Sequence, residues 1–182
     1  GGMFEVKGKI GFKGCSINDF GATLAFGQTE NYFAAKAGAT VLILGIPVDF
    51  NAGIFAGRAC SLDPLRFVDP EVEDVLIVNA SEFTGIYLEF GGGLSLSDIL
   101  FGTSSCFLDV GAHIDNALYY QGGPRFGSIG GRQKVSVNVD LICIISASAD
   151  WATAMRLDSV GKLTVQGQAR LCGKIGACPF CL

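Results

Sequence analysis

Between Lys134 and Leu141 the chain alternates strictly: Lys134, Ser136, Asn138 and Asp140 stand against Val135, Val137, Val139 and Leu141. Cys143 and Ile145 carry the apolar row onward. A period of two puts successive side chains on opposite faces of an extended strand and cannot produce one helical stripe. This single pattern constrains the fold more than any motif, because it recurs along the chain.

Trp151, Thr153, Met155 and Leu157 alternate with Asp150, Arg156 and Asp158. Leu163, Val165, Ala169, Leu171 and Ile175 alternate with Lys162, Gln166, Gln168, Arg170 and Lys174, and Asp158 to Gly161 reads as the hairpin turn between the two segments. These stretches predict a meander with one wet face and one buried face, the valine row of 135–139 being the buried one. At the N-terminal end, Phe4, Val6, Ile10 and Phe12 are set among Glu5, Lys7, Lys9 and Lys13. Phe33 to Ile46 and Val48 to Ala59 are less polar, which predicts strands covered on both sides or facing a cavity.

Helix signals are few. Asp69, then Pro70, Glu71, Glu73 and Asp74, predicts an N-cap, a first-turn proline and acids at the positive end of a short helix. Asp63, Pro64 and Leu65 predict a second short turn, and Ser97 to Leu100 a third. The expected fold is all-β: an antiparallel up-and-down meander of roughly nine to eleven strands, strongly curved, closed or folded as a barrel or sandwich. Residues 1–182 are expected to form a single β domain cut from a larger protein, the opening Gly1-Gly2-Met3 being an unnatural start.

Composition narrows the function classes. With 26 glycines, 16% charged residues and a mean hydropathy of +0.44, disorder is excluded. No run reaches the about 18–20 apolar residues of a spanning helix. A net charge of −4 and scattered cations, with Arg125, Arg132 and Lys134 as the loosest of clusters, exclude a nucleic-acid surface. Asn79 to Ser81 is a formal glycosylation acceptor, relevant only to a eukaryotic secretory route.

The motifs exclude more than they assign. Of seven cysteines, Cys15, Cys60, Cys106 and Cys143 are isolated and read as small core residues. Cys172, Cys178 and Cys181 form a terminal group. The readings open to it are a local disulfide pinning the last strand, free thiols, a zinc knot lacking a fourth ligand, or a dithiol lacking the helix its chemistry needs. The only histidine, His113, shares a strand face with Asp109 and Asp115, read as a polar strand face or pocket wall. An iron facial triad would need a second histidine, and a serine triad its nucleophile elbow. The glycine runs 91–93, 122–123 and 127–131 lack the Lys-Ser/Thr of a P-loop. No catalytic, cofactor or metal residue is assigned.

The Gly-rich alternation loosely resembles that of outer-membrane barrels, but seven cysteines and a C-terminus without an aromatic residue depart from that pattern, and no family is assigned. The expected role is a non-catalytic structural or interaction module, its partners being flanking domains or other subunits. The alternative is a carrier holding an apolar ligand such as a lipid within a curved sheet.

Overall fold

The computed structural model describes residues 1–12, 15–77, 81–95, 108–123, 127–141, 144–175 and 178–181. The alternating segments pair in chain order as one ten-stranded antiparallel sheet. Its strands are β1 (Gly2–Phe12), β2 (Cys15–Phe26), β3 (Asn31–Ile43), β4 (Ile46–Ala59) and β5 (Phe83–Ser95). Then come β6 (Leu108–Gly122), β7 (Gly127–Leu141), β8 (Ile145–Asp158), β9 (Leu163–Ile175) and the short β10 (Cys178–Cys181). Each strand pairs with its sequence neighbours, and no ladder joins β1 to β10 among the described residues. Ser97 to Leu100, Cys106, Cys143, Asn79 and Arg125 lie outside those residues.

Turn chemistry explains the meander. At Leu44-Gly45 both residues have positive φ (55° and 84°), the geometry of a two-residue hairpin whose twist matches its strands. In the β8–β9 hairpin the Asp158 carboxylate accepts from the backbone N–H of Val160 and Lys162, closing the predicted turn.

The connection between β4 and β5 folds back onto one face of the sheet. It holds helix α1 (Asp63–Val68), with Pro64 in its first turn, and a 3-10 turn at Val72–Asp74. Both predicted turns are present, the first as α1 and the second only as the 3-10 turn. Asp69 ends α1 rather than starting the next helix, because a residue before proline is pushed out of the α region, and its φ/ψ of −132°/107° is extended. Leu62, Leu65, Val68, Val72 and Val75 from this segment pack on Tyr32, Ala34, Phe55, Phe83, Tyr87 and Tyr119 of the sheet. Phe55 stacks on Tyr32 at 5.4 Å and meets Phe83 edge-on at 5.5 Å. This small core lies at one end of the sheet, and the face bearing it is called the inner face below.

Two glycines make the docking close. A Cβ at Gly53 would lie 2.4 Å from Cγ1 of Val68, and one at Gly21 2.7 Å from the ring of Phe67, so side chains of the segment seat in notches left by glycine.

The expected direction of the apolar row is overturned. Val135, Val137 and Val139 oppose Ile114, Ala112 and Val110 on the face away from the core, with Val137 40% and Leu141 41% exposed. The alanine-rich faces of β3 and β4 are likewise open rather than covered on both sides: Ala37 and Ala52 are exposed beside Phe33, Phe50 and Ile54. The reason is that only one face of the sheet receives the β4–β5 segment, and that face is the polar one.

Candidate functional site

The strand registers sort the charges. Lys36, Asp49, Glu89, Asp109, Asp115, Arg132, Lys134, Asp150, Arg156 and Arg170 all fall on the inner rows. On the outer rows of β1–β9, apart from the β1 bulge at Lys9, the sole charged side chain among the described residues is Arg58. Arg58 is next to last in β4 and pairs with Glu82 at 3.3 Å. The outer rows otherwise present Phe4, Leu24, Phe33, Ile54, Leu88, Phe90, Leu118, Trp151, Met155 and Val165, each exposed. An apolar surface of this extent, without charge, is far beyond what a water-exposed monomer carries.

The inner face is organised by one buried ion pair. Arg132 on β7 and Asp69 after α1 lie 3.2 Å apart, their side chains 2% and 3% exposed. Two unit charges removed from water leave hydrogen-bond capacity to be met, and Arg132 Nε is buried without a partner among the described residues. Asp69 meets its own by accepting from the Tyr87 hydroxyl (2.5 Å) and the backbone N–H of Glu71 (2.8 Å). Arg132 also donates to the Glu71 carbonyl at 2.6 Å, and Lys134 pairs with the Glu71 carboxylate at 2.5 Å.

Further contacts fasten the segment across the sheet. The Leu76 carbonyl accepts from Tyr119 on β6 (2.5 Å) and from Arg156 on β8 (3.4 Å), and Gln121 donates to the Glu82 carbonyl (3.1 Å). On the segment's solvent side, Arg66 bonds Glu73 and then Asp63, and these partners raise its pKa. The acidic run 69–74, predicted as helix capping, thus spends Asp69 and Glu71 on the cations of β7 and Glu73 on Arg66. Of the loose basic trio, Arg132 and Lys134 are the two that the structure brings together on this segment.

Beyond the core the inner face stays polar. The Asn51 amide donates to Glu89 and lies 3.5 Å from Asp115. His113 Nε2 is 2.9 Å from Asp115 Oδ1, and Ser95 donates to Asp109 at 3.0 Å. Asp109, His113 and Asp115 therefore share the inner face of β6, over a shallow cavity of about 190 Å³ to which Asp49, His113 and Asn138 contribute. Glycine again makes room: a Cβ at Gly93 would lie 2.5 Å from His113 Nδ1, and one at Gly111 2.2 Å from Asn138 Oδ1.

Of the terminal cysteines, Cys172 and Cys181 are opposed in the β9–β10 ladder and form a disulfide, with Cα atoms 4.0 Å apart. Cys178 pairs through its backbone with Ile175, and Cys15 and Cys60 are free thiols. No group of histidine, cysteine, aspartate and glutamate side chains among the described residues is arranged to hold a metal ion. Nor is any described helix long and apolar enough to cross a membrane, which leaves open crossing by strands.

Sequence reading singled out Asp69 as a helix cap and Arg132 as one of three scattered cations, but missed Tyr87 and the pairing of all three. Tyr87 lies between apolar Ile86 and Leu88, and Arg132 two residues before Lys134 on the same strand face, signals that become informative once the inner face is known. No family model, curated protein or solved structure matches the chain.

Proposed function

We propose that this chain forms part of the wall of a transmembrane β-barrel, with lipid against its outer face and a polar interior into which the β4–β5 segment folds as a plug. The observation that supports it is the sorting of charge: outer rows free of charge except at Arg58, inner rows holding the ionisable residues. Apolar-out and polar-in is the inverse of a soluble sheet and the signature of a barrel in a bilayer. Strand length agrees with it. Strands β1–β9 have 11 to 15 residues, enough for the about 9–11 that a tilted strand needs to cross the hydrocarbon layer.

The reading has a structural requirement. Open strand edges do not occur in hydrocarbon, because their N–H and C=O groups would go unpaired. The edge of β1 and the edge of β9 beyond β10 must therefore be paired in the membrane, by each other or by further strands. The role is then that of a non-catalytic structural module whose main partner is lipid, acting by enclosing a polar interior. The alternative, a carrier for an apolar ligand, has less support, since the inner face beyond the plug carries Asp49, Asn51, Asp109, His113 and Asp115.

Trp151 is the single tryptophan, so fluorescence tests the proposal directly. In a Trp151→Phe background, outward Ile54→Trp and inward Ser136→Trp are each reconstituted into vesicles with brominated acyl chains. Strong quenching at position 54 and weak quenching at 136 is expected. Equal quenching at both, or none at 54, would overturn the reading.

A further inference from the structure

Away from the strand ends, three polar side chains occur on the described outer rows, and they are adjacent. Asn116 opposes Gln133 across β6 and β7, and Gln133 opposes Thr153 across β7 and β8. They sit mid-strand, Asn116 in a strand running from Leu108 to Gly122 and Gln133 in one running from Gly127 to Leu141. Around them is an apolar groove of about 630 Å³, rimmed by Phe90, Leu118, Trp151 and Met155. Gly131 lies in its floor, and Gly167 opposes Thr153 on β9.

We infer that this groove is the seat of a second copy of the same chain within the membrane. The inference rests on the membrane reading above. The Gln133 amide donates to Asn116 Oδ1 at 3.2 Å, which leaves the Asn116 NH2 and the Gln133 carbonyl with capacity to spare. The balance is the same whichever amide donates. Acyl chains offer neither donor nor acceptor, and headgroups and water lie at the strand ends, so a mid-bilayer amide pair facing lipid alone is costly.

A patch with one spare donor and one spare acceptor is complementary to itself. A two-fold axis along the membrane normal brings the Asn116 NH2 of each copy to the Gln133 carbonyl of the other, the reciprocal contact of an isologous interface. Glycine at 167, where a Cβ would meet open space, lets the two sheets approach closely, as small residues do between membrane-embedded elements. Thr153 adds a hydroxyl able to donate or accept beside them.

The test is self-association of the full chain in lipid vesicles, read by energy transfer between labelled copies at falling protein-to-lipid ratio. Asn116→Leu with Gln133→Leu should lower the association constant about ten-fold or more, the loss expected for two intramembrane hydrogen bonds. The exchanged pair, Asn116→Gln with Gln133→Asn, keeps donors and acceptors and should associate like the parent. The position-54 tryptophan, read in the same vesicles, reports insertion separately. A parent chain that inserts but stays monomeric overturns the dimer and leaves the membrane reading standing, whereas a chain whose position-54 probe is not quenched overturns both. Undiminished association of the leucine variant, or equal weakening of the exchanged one, also overturns the inference.

Discussion

On β7, outward Val135, Val137 and Val139 alternate with inward Lys134, Ser136 and Asn138, yet the inward set lies on the face where the protein has its core. The two faces of the sheet divide the physics between them. The inner face gains stability from specific contacts: a buried Arg132–Asp69 pair, tyrosine hydroxyls on acceptors, and side chains seated over glycine. The outer face has almost no internal partners, and on the proposed membrane reading its apolar surface is covered by lipid. A single strand pattern can therefore serve two opposite environments, and what differs is the source of the stabilisation.

The comparison is most strongly tested at Arg132. Arg132→Ala strips the buried Asp69 of its partner and should cost about 3–5 kcal/mol in reversible unfolding from lipid or detergent. A cost below about 1 kcal/mol would mean the pair is solvated and the plug loosely held. Next, Leu88→Arg places a charge mid-strand on the outer face and should destabilise the inserted state by about 2–4 kcal/mol. The same variant should be nearly silent if that face meets water, so one unfolding titration separates the two environments.

Gly53→Ala probes the plug's seat. Its Cβ would meet Val68 at 2.4 Å, and overpacking of this kind should cost about 1–3 kcal/mol, with faster proteolysis of the β4–β5 segment as the local readout. The smallest effect is expected at Ser136→Ala, inward but beyond the plug and core, at under about 0.5 kcal/mol. A larger loss there would show that the polar inner face is more tightly coupled than its described contacts indicate.

Strand segments were legible because period two survives any environment. The meander, the Asp158 turn and the shared face of Asp109, His113 and Asp115 all come from local spacing. The two short turns were legible from Asp63-Pro64 and Asp69-Pro70, but not that the second would shrink to a 3-10 turn, since both carry the same signal and only packing distinguishes them. The network of Asp69, Tyr87 and Arg132 was not legible, because its members come from distant parts of the chain and the one motif among them, the Asp69-Pro70 cap, points to a helix end and not to an ion pair.

Taken alone, the sequence determined an all-β chain whose clearest strands, those of the C-terminal half, have one apolar and one polar side, because side-chain direction alternates at each extended residue. It did not determine which side is inside. That was decided when the β4–β5 segment docked on the polar face through glycine notches and a buried ion pair. The docking turns the apolar side outward. Alternation is a local property of the backbone, but the choice of face depends on which surface a distant segment covers.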